Sequence, residues 1–136
     1  MRVNYKVPYN VKKKMADELY HYWDNKKELE ELQQDIIEES GIADGQPKGN
    51  NISNPTAQKA IKLRTSRTIL ILERRLRYIE NAIARLEESE KEIFEIIFKE
   101  KHSQKTAETY KYISADTYYN VYRKIIYYTA SEFGEI

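Results

Sequence analysis

From Ala57 to Leu86, apolar or small side chains return at Ala57, Ile61, Thr65, Thr68, Leu72, Leu76, Ile79, Ile83 and Leu86, in steps of three or four residues that nothing interrupts. Only a helix of about eight turns gathers such positions on one face. Its start is marked just upstream: Asn54 has the side chain of an N-cap, and Pro55 suits the first helical position, where no amide is needed. A second stripe precedes it, through Val11, Met15, Leu19, Tyr22, Leu29, Leu32 and Ile36, and Tyr20 and Trp23 widen it. This spacing predicts one helix over 11–39, capped by Gly41. Residues 41–54 hold three of the four glycines and six more turn formers, and read as a loop.

Two long amphipathic helices joined by such a loop are expected to fold back as an antiparallel hairpin. A stripe this long exceeds what one partner helix covers, which predicts a homodimer or larger assembly. Composition agrees with helices. Apolar residues make up 40% and charged ones 33%, too apolar for a disordered chain, and 4 Gly with 3 Pro are too few for an all-β one. The absence of cysteine removes disulfides, thiol chemistry and Cys-based zinc sites. Apolar runs such as Ile69–Leu72 fall far short of a membrane span, and no signal peptide is read at the N-terminus. A soluble, intracellular protein is expected, with no membrane partner.

Net charge is +1, but it is unevenly spread: −2 over 1–54, +5 over 55–84, −2 over 85–102 and zero over 103–136. The basic middle segment carries Lys59, Lys62, Arg64, Arg67, Arg74, Arg75 and Arg77. Such a run is either a solvated helix face or a stripe facing phosphates.

The last third breaks into shorter pieces. Ile93, Phe94, Ile96, Ile97 and Phe98 mark a buried short helix over 90–99. Ser103 can cap a second, from Gln104 to about Lys111, with Ala107 and Tyr110 inward. Ser114 can cap a third, from Ala115 to about Glu132, with Tyr118, Val121, Ile125 and Tyr128 on one face. Three short helices with a tight turn before a capped third make the helix-turn-helix pattern. The expected fold is all-α, with a helical hairpin over 1–86 and a helix-turn-helix DNA-binding domain over 87–136.

In that pattern the side of the third helix opposite the core presents Ala115, Asp116, Tyr119, Asn120 and Arg123. Asn120 can pair bidentately with adenine, Arg123 with guanine or a phosphate, and Ala115 can touch a thymine methyl. Asp116 can accept from cytosine. Lys124 lies beside this face and suits a phosphate, as do Ser103, Ser114 and Thr117 at the helix starts. Seven of the twelve tyrosines fall within Tyr110–Tyr128. Tyr110, Tyr118 and Tyr128 read as packing, and Tyr119 as directed at DNA. His21 and His102 have no metal-ligand spacing, the acidic run Glu87–Glu92 reads as a solvated helix start, and no Gly-rich phosphate loop occurs. No enzyme, metal or cofactor is implied.

Several of these segments resemble a known family. Leu86–Phe98 looks like the first helix of sigma-factor region 4. Ile113–Ile126, followed by Ala130 and Phe133-Gly134-Glu135, resembles phage transcriptional regulators of the RinA and ArpU type. Ser53–Thr56 with Lys59–Leu63, and Tyr20–Trp23 with Lys26–Glu30, resemble the middle and the start of the same family, in the same order. The resemblance implies an activator of late phage genes that binds double-stranded DNA upstream of them, with RNA polymerase as a further partner. The chain departs from the family at Ala115-Asp116, at Tyr119 and Asn120 where basic residues are usual, and at Tyr112 in place of the glycine of the turn. Ala107 also stands one residue early. Two other readings fit the same elements: a DNA-packaging adaptor such as a small terminase subunit, and an interaction module without DNA binding, which the neutral charge of 103–136 favours.

Overall fold

A computed structural model describes residues 5–39 and 55–136, with side chains for 5–37 and 65–136. The described chain is all helical: α1 (Tyr9–Tyr20), α2 (Tyr22–Glu39), α3 (Pro55–Ala84), α4 (Glu88–Phe94) continuing as a π-helical turn (Glu95–Lys99), α5 (Gln104–Lys111) and α6 (Ala115–Glu132). The expected loop over 41–54, the Gly41 cap and the Asn54 cap lie outside the described residues, as do the side chains of Ala57, Ile61, Lys59, Lys62 and Arg64.

The helix expected over 11–39 is two helices. At His21 the backbone leaves the helical region (φ −92°, ψ 2°). Its amide and its Nδ1 both donate to the Asp17 carbonyl, at 3.1 and 2.7 Å. A side chain that competes for a backbone acceptor in this way ends the regular ladder.

Packing divides the described chain into two compact units: residues up to Trp23 with Leu76–Ile136, and Asp24–Arg75. This division differs from the expected boundary at 86/87, because α1 packs against α6 and the π turn and so joins the C-terminal helices. The core of that unit is Met15 and Leu19 from α1, Ile79 from α3, Phe94, Ile97 and Phe98, and Val121, Ile125, Ile126 and Ala130 from α6, all essentially without solvent exposure. Rings fill it: Phe98 lies 4.9 Å from Tyr20, 5.4 Å from Phe94 and 5.5 Å from Tyr122, and Phe94 stacks on Trp23 at 5.6 Å. The π turn keeps both Ile97 and Phe98 buried. It closes with Lys101 at φ 56° and the His102 amide donating back to Ile96 (3.0 Å). Among the described residues the buried polar side chains are satisfied. Thr129 donates to the Ile125 carbonyl (2.6 Å), Tyr118 to the His102 carbonyl (2.8 Å) and Tyr22 to Glu80 (3.2 Å).

In the second unit, Gln33 of α2 donates to Glu73 of α3 (3.3 Å). Leu72 is buried there, but Ile37, Leu70 and Ile71 are 47%, 60% and 56% exposed. In the C-terminal unit Leu76, Ile79 and Leu86 are also buried. The described part of the long stripe from Leu72 onward is therefore largely covered within the chain. The large exposed apolar side chains of α3, Leu70 and Ile71, stand off the stripe.

Candidate nucleic-acid interface

Two adjacent helices, each with its own cap, build the site. Ser103 (φ −67°, ψ 163°) accepts from the Thr106 amide at 3.2 Å and starts α5. Ser114 (φ −65°, ψ 154°) accepts from the Thr117 amide at 3.2 Å and starts α6. Both serines cap as expected, satisfying an amide that the first helical turn leaves without a partner. The Ser114 hydroxyl donates to Thr117 Oγ1 (2.8 Å), so the Thr117 proton remains available at the start of α6.

Between the helices the chain reverses through Tyr112 in the left-handed region (φ 57°, ψ 34°). This is the residue that stands where the resembled family has glycine. Its amide and that of Ile113 both reach the Ala107 carbonyl. Ala107 is fully buried, whereas Tyr110, expected inward, is 72% exposed and Tyr112 91%. The face α5 turns to α6 is narrow, and one methyl fills it.

Along α6 the inward face is Tyr118, Val121, Ile125, Ile126, Thr129 and Ala130, with Tyr128 half-buried. Asp116, Tyr119, Asn120 and Arg123 fall at i, i+3, i+4 and i+7, share the opposite face and line one groove of about 560 Å³. Asp116, Thr117, Asn120 and Arg123 are exposed and Tyr119 is 45% exposed, its ring edge-on to Tyr118 at 5.3 Å. Ser103 and Ser114 are exposed as well, and Ala115 is half-buried.

Lys124 differs from its expected role. Its Nζ donates to Glu90 Oε2 at 2.8 Å, with both side chains largely withdrawn from solvent. The other oxygen of Glu90 accepts from the Glu87 amide (3.0 Å) at the start of α4. Burial pushes the Glu90 carboxyl up, but the hydrogen bonds from Lys124 and the Glu87 amide and the ammonium charge outweigh it, leaving it below the ordinary range. The same hydrogen bond raises Lys124 against the opposing effect of burial. Lys124 thus ties α6 to α4 and is not poised as a phosphate contact. Its partner stands 34 residues away, which local reading could not supply.

Sequence reading also missed the contribution of the N-terminal segment. Tyr5 meets Tyr127 and Tyr128 edge-on at 5.4 and 5.9 Å. Tyr5, Lys6, Val7 and Lys12 border a groove of about 830 Å³ whose other side is α4 and the outward face of α6, including Asn120 and Arg123. Of the middle-segment cations, Arg67, Arg74 and Arg77 are exposed and Arg75 is half-buried. Among the described residues no cluster of three or more His, Asp or Glu could hold a metal, and no helix is long and apolar enough to cross a membrane. Comparisons with protein-family models, with curated proteins and with solved structures find no significant match.

Proposed function

We propose that the protein is a sequence-specific double-stranded DNA-binding transcription regulator, with α5, the Tyr112 turn and α6 acting as a helix-turn-helix and α6 as its recognition helix. The observation that carries this reading is the outward face of α6. Asp116, Tyr119, Asn120 and Arg123 stand together and exposed near the start of a helix about 27 Å long, whose other face is anchored in the core. A helix enters the major groove with its N-terminal residues on base edges, and Asn and Arg are the side chains that read adenine and guanine bidentately. Following the resemblance read in the sequence, the regulator activates late phage genes, with RNA polymerase as its protein partner. A second copy supplies the other half-site, and the exposed Ile37, Leu70 and Ile71 support such pairing.

Selection of bound sites from a random duplex pool tests the reading. One enriched motif is expected, and Asn120→Ala should weaken binding to it by about 1–3 kcal/mol while relaxing preference at one base pair. Arg123→Ala should weaken it at least as much. No enrichment, or full affinity and unchanged preference in both variants, overturns the proposal. Assembly separates it from a packaging adaptor, which would form a ring of many subunits rather than a dimer.

A further inference from the structure

We infer that Lys12, carried by α1, contacts a phosphate of the same duplex that α6 reads, so that the DNA surface is assembled from distant parts of the sequence. The inference rests on the regulator reading and adds to it a residue outside the helix-turn-helix. Lys12 borders two grooves. One is the groove that holds Asn120 and Arg123, and the other, of about 550 Å³, is lined by Ser103, Gln104, Tyr119 and Arg123. Arg123 borders both as well, so two cations converge where the grooves adjoin.

What surrounds them favours an anion. No carboxylate lines the second groove, and Glu90, which lines the first, is engaged by Lys124. Three lysines of this unit, Lys14, Lys91 and Lys111, are paired with Glu135, Glu88 (3.0 Å) and Glu100 (3.7 Å), and none of the three lines either groove. Among the described residues Lys12 has no carboxylate partner. Its ammonium rests 5.6 Å above the Tyr122 ring, which steadies it over the groove without neutralising it. Two unneutralised cations stand beside the Ser103 and Tyr119 hydroxyls, whereas the Gln104 amide is engaged by Glu108 (2.7 Å), and repulsion between the cations is relieved when a phosphate sits between. Duplex DNA presents phosphates on both rims of the major groove, so a helix seated there brings its flanking cations onto the backbone.

The test titrates the full chain, across a range of salt, against the selected duplex, a scrambled duplex and polyglutamate. Lys12→Ala should weaken both duplexes by the same factor and reduce the slope of log affinity against log salt by about 0.9. Lys12→Arg should keep the slope, and Lys13→Ala, next to it in α1 but outside both grooves, should behave as the unaltered protein. An unchanged slope in Lys12→Ala overturns the inference while leaving the regulator reading in place. So does a loss confined to one duplex, or a loss of polyglutamate binding with duplex affinity intact. If the unaltered protein binds neither duplex, both fall together.

Discussion

The two compact units solve the same problem unequally. In the unit built on α1, the end of α3, α4, α5 and α6, helices from distant parts of the chain surround a ring cluster, and side chains such as Met15, Ile79, Phe98 and Ala130 reach full burial. In Asp24–Arg75 the described side chains come from two helices, and Ile37, Leu70 and Ile71 stay in water. A pair of helices can cover one stripe each but not side chains that lie off it. The difference teaches that the first unit has the core of an independent domain. In the second, described apolar side chains that lie off the stripe remain exposed.

The most severe way to probe that contrast is Phe98→Ala. Phe98 is fully buried among Tyr20, Phe94 and Tyr122, and its truncation should cost about 3–5 kcal/mol in urea unfolding. Leu70→Ala should stay within about 0.5 kcal/mol. If Leu70→Ala costs as much, and the cost grows with protein concentration, the second unit is as tightly packed as the first, with another copy completing it.

Next comes Glu90→Gln, which keeps the shape but removes the charge that holds Lys124 and receives the Glu87 amide; about 1–2 kcal/mol should be lost at neutral pH. Because the folded carboxyl lies below its ordinary range, its contribution is present above the unfolded value and lost as pH falls through the folded one. The stabilities of the two proteins should therefore converge in acid. Equal stability at neutral pH would mean that the α4–α6 junction does not depend on this pair.

A smaller change has the opposite sign. Tyr112 holds φ 57° with 91% of its side chain exposed, so Tyr112→Gly should remove backbone strain at little packing cost and raise stability by about 1 kcal/mol. Smallest of all should be Leu70→Ser with Ile71→Ser, within about 0.5 kcal/mol on unfolding at low concentration. The same pair of substitutions should shift sedimentation toward monomer; unchanged sedimentation would rule this face out as the contact between copies.

The helix starts at Gln104 and Ala115 were legible because a serine cap is a local device: Ser103 and Ser114 bind amides three residues away. The break at His21 was not, because apolar spacing continues through it from Leu19 to Tyr22 while the competing hydrogen bond to Asp17 leaves no mark in periodicity. The π turn over 95–99 was equally hidden, since what settles it is packing of Ile97 and Phe98 against other helices. For the site, Asp116, Tyr119, Asn120 and Arg123 followed from the phase of α6. Tyr110 was misjudged because it faces away from α6, and the ion pair of Lys124 was not legible because its partner stands on α4. Charge counted along the chain was least informative about the surface: zero over 103–136 describes a stretch of sequence, whereas the surface around α6 also includes Lys6 and Lys12.

The packing of α1 on α6 has a temporal side. A ribosome adds roughly 5–20 residues per second, so several seconds separate the emergence of Met15 and Leu19 from that of Val121 and Ile125, the side chains that bury the same core. For that interval α1 has at most the cover of the π turn, through contacts such as Tyr20 on Phe98, and the α6 side of its apolar face stays open. Contacts between α1 and α6 span about 100 residues of sequence, and long-range contacts of this kind raise contact order, which slows folding relative to locally paired helical bundles.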